Sequence, residues 1–319
     1  MVKYMHRIPD VETFDEIYNS ASYEEPWVSY IDENQRVDYN NPDYDEALYR
    51  PLTFEVLTGG TINWIANNSG FVSTIEYNKN GTGWQTITSK TGSTASSTDC
   101  GGAKINVVAG DIVQFRGNND YYCCGATNYN TFGGSASYCN IKGNIMSLID
   151  SVNYPTLKTF PSGSQRNFNG LFRQHGNYFY PRFVDASELI LPATALTEYC
   201  YANMFYGYNR VLTAGPELPA TTLATGCYSQ MFSRTSLPIA PVLPALTLVN
   251  NCYYMMFGSC SSLTYVKCLA LDISANNCIK YLFDGVSQAG TFVKHPNNND
   301  WPRGSSGIPN NWTIEDAVL

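Results

Sequence analysis

Charge is scarce in this chain. Only 14% of its 319 residues are Asp, Glu, Lys or Arg, where a soluble domain carries about a quarter. A surface so poor in charge, with 24 tyrosines and abundant Asn, Ser and Thr, suits packed assemblies or adhesive faces better than a freely diffusing enzyme. Histidine is nearly missing. His6, His175 and His295 stand far apart and no Cys-x-x-Cys pair occurs, which argues against a zinc site. A Ser/His or Cys/His nucleophilic set would need one of those three scattered histidines. Acidic residues beyond the first fifty are sparse. Asp185, Glu188, Glu198 and Glu217 follow no pairing of the kind glycan hydrolysis needs. Asn297–Asp300 and Asp43–Glu46 offer oxygen ligands without an EF-hand spacing and read as solvated loops. No catalytic residue, metal or cofactor is therefore expected.

Two further absences bear on location. No apolar run approaches the length of a membrane-spanning helix, so no membrane insertion is expected. The opening stretch Met1–Pro9 has no apolar core and no small-residue cleavage site, so no signal peptide is expected. The charge that is present is unevenly placed. Residues 1–50 hold twelve acidic and four basic residues, which accounts for the whole net charge of −8. Such a stretch reads either as a solvated arm or as an anchor for a complementary surface of a larger assembly. Nucleic acid is disfavoured as a partner, because no basic patch offers counterion release.

What the sequence does have is a repeat. Cys200 with Met204-Phe205, Cys227 with Met231-Phe232, Cys252 with Met256-Phe257 and Cys278 with Leu282-Phe283 recur at intervals of 27, 25 and 26 residues. Asn167 with Leu171-Phe172 looks like a degenerate first unit, followed by an aromatic insertion over 177–183. A period near 25 indicates small units stacked so that they share a core. Each unit pairs a short extended piece (Leu189–Thr194, Leu218–Thr221, Leu243–Leu246) with a helix-like turn whose Cys, Met and Phe form one apolar face. The cysteines that carry the period fit small buried thiols. Whether Cys100, Cys123, Cys124 and Cys139 pair is not readable.

Ahead of the repeats, a weak helical pattern over 1–22 gives way to a hairpin pattern, Pro26–Ile31 and Arg36–Tyr39 about a polar turn. Residues 51–145 read as all-β. Strands are expected at 52–56, 61–65, 73–77, 84–88, 104–108, 112–116 and 138–142, with Asn80-Gly81 as a tight turn. A Gly/Asn/Tyr-rich stretch, 117–136, interrupts them and reads as a loop.

The segments Pro216–Leu223 and Met256–Thr264 resemble leucine-rich-repeat proteins of the kind abundant on Bacteroidetes and in their phages. The runs 290–294 and 307–313 look like the terminal cap of that family. Glu25–Ile31 followed by Val37–Asn40 looks like N-terminal arms of structural proteins from phages of gut Bacteroidetes. The resemblance implies a multidomain chain: an acidic anchoring arm with a β-hairpin (1–50), an all-β, immunoglobulin-like sandwich (51–145), a short leucine-rich-repeat solenoid (146–289) and a cap (290–319). It implies a non-enzymatic virion protein, a head or tail fibre or a decoration component. The arm would bind other virion proteins, the chain would form a homo-oligomer, and the repeats would touch a host surface glycan or protein. The alternative is a secreted bacterial cell-surface adhesin or glycan-binding protein. Aromatic side chains give large contact area at low entropic cost. Trp27, Tyr30 and Tyr39 in the arm, and Tyr201, Tyr206, Tyr208, Tyr228, Tyr253 and Tyr254 in the repeats, are the candidate partner-binding residues. Their other reading is packing between repeats.

Overall fold

The structure, a computed structural model, describes residues 45–91, 101–125, 128–135, 138–174, 182–207, 211–304 and 307–319. The helical pattern over 1–22, the hairpin over 26–39 with Trp27, Tyr30 and Tyr39, and also Cys100 and Tyr208, lie outside the described residues. The compact unit described below comprises residues 45–80 and 84–319. No helix among the described residues is long and apolar enough to cross a membrane.

Asp45 starts the unit by accepting a hydrogen bond from the Ala47 N–H, which caps the one-turn helix α1 (Glu46–Tyr49). Strand β1 (Leu52–Val56) follows and turns Leu52, Phe54 and Val56 into the core at the two-residue period of a strand. Its antiparallel neighbours are β7 (Ile112–Arg116) and β9 (Tyr138–Asn144). Beyond β7 come β3 (Thr74–Lys79) and β4 (Gln85–Thr88). On the other side of β9, β10 (Arg182–Phe183) and β11 (Glu188–Ile190) add in parallel, making seven strands. A second sheet centres on β2 (Gly60–Ala66). It pairs with β8 (Asn130–Ser135) and β6 (Ala103–Val107) antiparallel, and with β5 (Lys90–Thr91) parallel. The two sheets face each other through aromatic rings. Phe132 of β8 lies 4.9 Å from Phe54, 4.8 Å from Phe115 of β7 and 4.7 Å from Trp64 of β2.

The repeats do stack, but not as the expected leucine-rich-repeat solenoid, and that expectation is corrected here. The described residues form three sheets of seven, four and three strands, none closed or running as a solenoid. The extended pieces around Ala195, Leu243 and Thr247 make only single parallel bridges to the next unit. The prolines beside them, Pro219 and Pro244, have no N–H to continue a ladder. The first two sheets are compatible with an all-β sandwich over 51–145; β5 pairs β2 in parallel, and β10 and β11 join β9 from beyond that segment.

The expected helix-like segments are chains of tight turns. In the second unit the N–H groups of Cys200, Ala202, Met204 and Tyr206 donate to carbonyls three residues back. The N–H groups between them act differently. Those of Tyr199, Tyr201, Asn203, Phe205 and Gly207 donate to Thr225, Cys227, Ser229, Met231 and Ser233 of the next unit, at 2.8–3.2 Å. Half of the donors therefore hold the turn and half hold the stack. This geometry needs a left-handed residue at every fourth position: Tyr199 and Asn203, then Gly226, Gln230 and Arg234, then Asn251, Met255 and Ser259, then Asn277 and Tyr281. Each non-glycine residue of that kind costs about 1 kcal/mol or more, so it interrupts an α-helix. The stacking contacts must offset the cost.

Those contacts are two aromatic columns, each starting inside the sandwich. Phe132, Phe172, Phe205, Phe232 and Phe257 stack at 5.9, 5.4, 5.6 and 6.0 Å between ring centres. Tyr122, Phe168, Tyr201, Tyr228 and Tyr253 stack at 6.2, 6.1, 5.8 and 6.1 Å. All ten rings are buried. Full burial of each side chain stabilises by roughly 1.5–3 kcal/mol, more than the backbone cost it accompanies. The joint between sandwich and stack is hydrogen-bonded as well: Phe132 N–H and Thr131 Oγ1 both donate to the Leu171 carbonyl, each at 2.9 Å. At the far end β12 (Tyr265–Cys268), β13 (Thr291–Lys294) and β14 (Thr313–Asp316) form a parallel sheet. Trp312 closes it by packing on Phe283 and donating to the Ser287 carbonyl.

The repeat thiols line up beside the tyrosine column. Of the described cysteines all but Cys124 are buried. Burial pushes the Cys200 and Cys268 thiols up to about 12, and drives Cys227, Cys252, Tyr201, Tyr228 and Tyr253 upward as well. Each of these groups holds its proton more tightly folded than unfolded. Their stabilising effect is complete below the unfolded thiol value of about 8.5 and is lost as pH rises through the folded values. Thermal unfolding should therefore shift to lower temperature between pH 8 and pH 11, followed by circular dichroism. The Tyr201 hydroxyl has no hydrogen-bond partner, and Phe168 occupies the matching place one unit earlier. Tyr201→Phe should therefore leave stability at pH 7 equal or higher and make the alkaline loss shallower above pH 10. A Tm that is flat over this range would contradict the assignment.

Candidate functional site

The stack places three of the sequence-derived tyrosines where no partner reaches them. Tyr201, Tyr228 and Tyr253 are at most 1% exposed and form the interior column. Tyr206 and Tyr254 are half-buried at the surface. Trp27, Tyr30, Tyr39 and Tyr208 belong to the undescribed segments. The scattered carboxylates do not converge. Glu188 is taken up by Arg50 and Lys142, Asp185 accepts from its neighbour's Ser187 N–H, and Glu198 and Glu217 point to solvent. No cluster of three metal-ligating side chains occurs among the described residues. Asn298 of the candidate oxygen-rich loop donates to the Ala270 carbonyl and caps its own turn through the Asp300 N–H.

One concave place among the described residues is built from residues no motif singled out. The left-handed positions of successive units stack into a third column. Arg166 of the first unit lies over Tyr199 of the second, its guanidinium carbon 4.3 Å from the ring centre. Tyr199 in turn lies over Gly226 of the third, where a β-carbon would overlap the tyrosine ring. Glycine is required there twice over, for its left-handed φ of 63° and for the space the ring takes. A second arginine, Arg173, packs its guanidinium 4.9 Å from the Tyr206 ring. Each arginine thereby lies over an aromatic face.

Between these arginines runs a cleft of about 260 Å³, lined by Arg166, Arg173, Asn169, Tyr199, Asn203 and Ser229. The sandwich supplies one wall. Cys123 and Tyr129 bridge to each other, and Gly125 lies at the rim. A side chain added at Gly125 would meet open space. The described lining of the cleft carries two cations and no carboxylate. Among the described residues neither Arg166 nor Arg173 forms an ion pair, although six such pairs occur elsewhere. The Arg173 Nε is buried without a hydrogen-bond partner. Asn169 is 9% exposed, and of its groups only the backbone N–H is engaged, with the Arg166 carbonyl. The two positive charges reach nearby groups: burial raises the Tyr129 hydroxyl to about 12 against the pull of Arg173. Burial likewise raises the Cys123 thiol, with both arginines pulling it back. Chemically, the described lining offers cationic donors, neutral amides and hydroxyls.

The sequence held only a faint trace of this site. The degenerate first unit around Asn167 was visible, and Arg166 and Arg173 flank it. What could not be seen is that Arg166, Tyr199 and Gly226, 33 and then 27 residues apart, fall on one column. No match is found to any protein family, to any curated protein or to any solved structure.

Two substitutions test this construction. Arg166 is half-exposed and its stacking contributes about 0.5–1 kcal/mol, so Arg166→Gln should lower stability by no more than about 1 kcal/mol. Gly226→Ala must displace the Tyr199 ring and strain a left-handed residue, and should cost about 2–4 kcal/mol. Chemical denaturation of both variants checks the order. Equal effects would mean that the column is not packed as described.

Proposed function

We propose that this chain is a non-enzymatic attachment protein, a structural component of a phage virion, of the head or tail fibre or decoration kind. In this reading the acidic residues 1–50 dock on other virion proteins, and the stacked repeats present a binding surface to a host glycan or protein. The observation that carries the proposal is the arginine cleft. Two half-buried guanidiniums are held on tyrosine faces with no carboxylate paired to them among the described residues, on a scaffold whose core is continuous from sandwich to last repeat. Stacking on the rings stabilises each arginine only modestly, and a ligand oxyanion would supply the acceptor that the guanidinium N–H groups lack among the described residues. A stiff support also suits attachment, because a preorganised site loses little entropy on binding. The concentration of negative charge in residues 1–50 supports docking on a complementary partner.

The same cleft would serve a bacterial cell-surface adhesin, and the behaviour of the arm separates the two. Asp45–Arg50 belong to the folded unit: the Leu48 and Tyr49 carbonyls accept from Asn144 and Tyr154. The informative comparison is thus residues 1–319 against 45–319 by sedimentation equilibrium. The virion reading expects an oligomer that becomes a monomer when residues 1–44 are removed. If both are monomers, and the full chain also fails to join purified particles, the assembly role is wrong and the adhesin reading replaces it.

A further inference from the structure

We infer that the cleft between Arg166 and Arg173 binds one anionic sugar unit, a pyranose ring carrying a carboxylate or a sulfate ester. The inference rests on the attachment reading and specifies its ligand. Three features of the cleft lead to it. The first is charge. Arg166 and Arg173 line the same space, each over a tyrosine ring, and neither forms an ion pair among the described residues. A flat guanidinium matches an oxyanion of carboxylate or sulfate geometry. The second is the rest of the lining. Asn169, Asn203 and Ser229 are neutral and can donate and accept together, as ring hydroxyls require.

The third feature is size. About 260 Å³ is below the roughly 300–1,000 Å³ of sites that enclose drug-sized ligands. One hydroxylated ring fits that space better than a peptide side or an extended chain. Free phosphate or sulfate would satisfy the arginines but leave Asn203 and Ser229 unused. A neutral hexose would satisfy those two and leave the arginines unpaired. Only a ligand with both chemistries uses the whole lining. The stack also fixes the site's precision. Asn203 sits at a left-handed position whose N–H donates to Ser229 at 2.8 Å, so both residues are held by the ladder and not by a loop.

The test is isothermal titration of the full chain at low salt with four probes: sodium glucuronate, its methyl ester, glucose 6-sulfate and sodium sulfate. A single sugar unit of this size binds with Kd on the order of 1 mM. Glucuronate or glucose 6-sulfate should bind at that level, and whichever binds more tightly identifies the anion. The methyl ester and inorganic sulfate should each bind at least tenfold more weakly. Arg166→Gln should weaken binding tenfold or more. Asn203→Asp keeps the shape and a residue type that tolerates the left-handed region, and should abolish binding by adding a negative charge. Lys280→Gln, remote and exposed, should change nothing. Equal binding of glucuronate and its ester, or of sulfate and the sugar sulfate, overturns the inference and leaves the attachment reading in place. If none of the probes binds while the full chain still adheres to cells, the cleft is not the adhesive site. If adhesion is absent as well, the attachment reading fails with it.

Discussion

Everything in the repeat block depends on a division of labour among backbone N–H groups. Alternate donors close turns within a unit and the others reach the next unit. The arrangement works only if every fourth residue enters the left-handed region, which most side chains resist. The aromatic columns offset that resistance. Because Tyr201 and Phe205 sit at fixed offsets in one turn, and their counterparts sit likewise in the next, stacking of the rings and pairing of the backbone occur together or not at all. The columns also begin in the sandwich, on Tyr122 and Phe132, so the sheets template the first turn. A free-standing unit of about 25 residues would have neither the rings nor the acceptors to hold its strained positions.

The same constraint creates the cleft. Left-handed residues direct their side chains outward in register, so positions that are far apart in sequence become columns on the surface. One column carries Arg166, Tyr199 and Gly226, where large, flat and absent side chains alternate so that each lies on the next. Asn203 and Ser229 belong to the neighbouring rows. The binding chemistry is thus a by-product of how the units stack, and the rim contributed by Gly125 and Tyr129 comes from the sandwich that templates the stack.

How much of this is legible in the sequence differs by element. Strands β1 and β7 fall at 52–56 and 112–116, where alternation of large apolar residues puts them, and β3 and β4 pair across Asn80-Gly81. Strand β8 hides in the Gly/Asn/Tyr-rich stretch read as a loop, because Gly133-Gly134 mask its pattern while its partner β2 supplies the pairing. The period of the repeats is plain, but their conformation is not. Cys at i with Met and Phe at i+4 and i+5 fits a helix and equally fits two successive tight turns, and only the left-handed residues distinguish the two. Asn203, Asn251 and Asn277 hint at those positions, whereas Tyr199, Gln230, Met255 and Tyr281 give no such hint. The columnar tyrosines mislead for a related reason. A repeated tyrosine suits an adhesive face or a stacked interior, and the choice depends on which way the turn points them.

The central claim is that sandwich and stacked turns form one cooperative structure joined through Phe132–Phe172 and Tyr122–Phe168. Native-state hydrogen exchange tests it most directly. The amides of Tyr201, Phe205, Tyr228 and Phe232, which donate between units, should open with the same free energy as Phe54 and Val113 in the seven-stranded sheet, at the limit set by global unfolding. If the inter-unit amides exchange through a lower-energy opening while the sheet amides stay protected, the columns do not unite the two parts and the account is wrong.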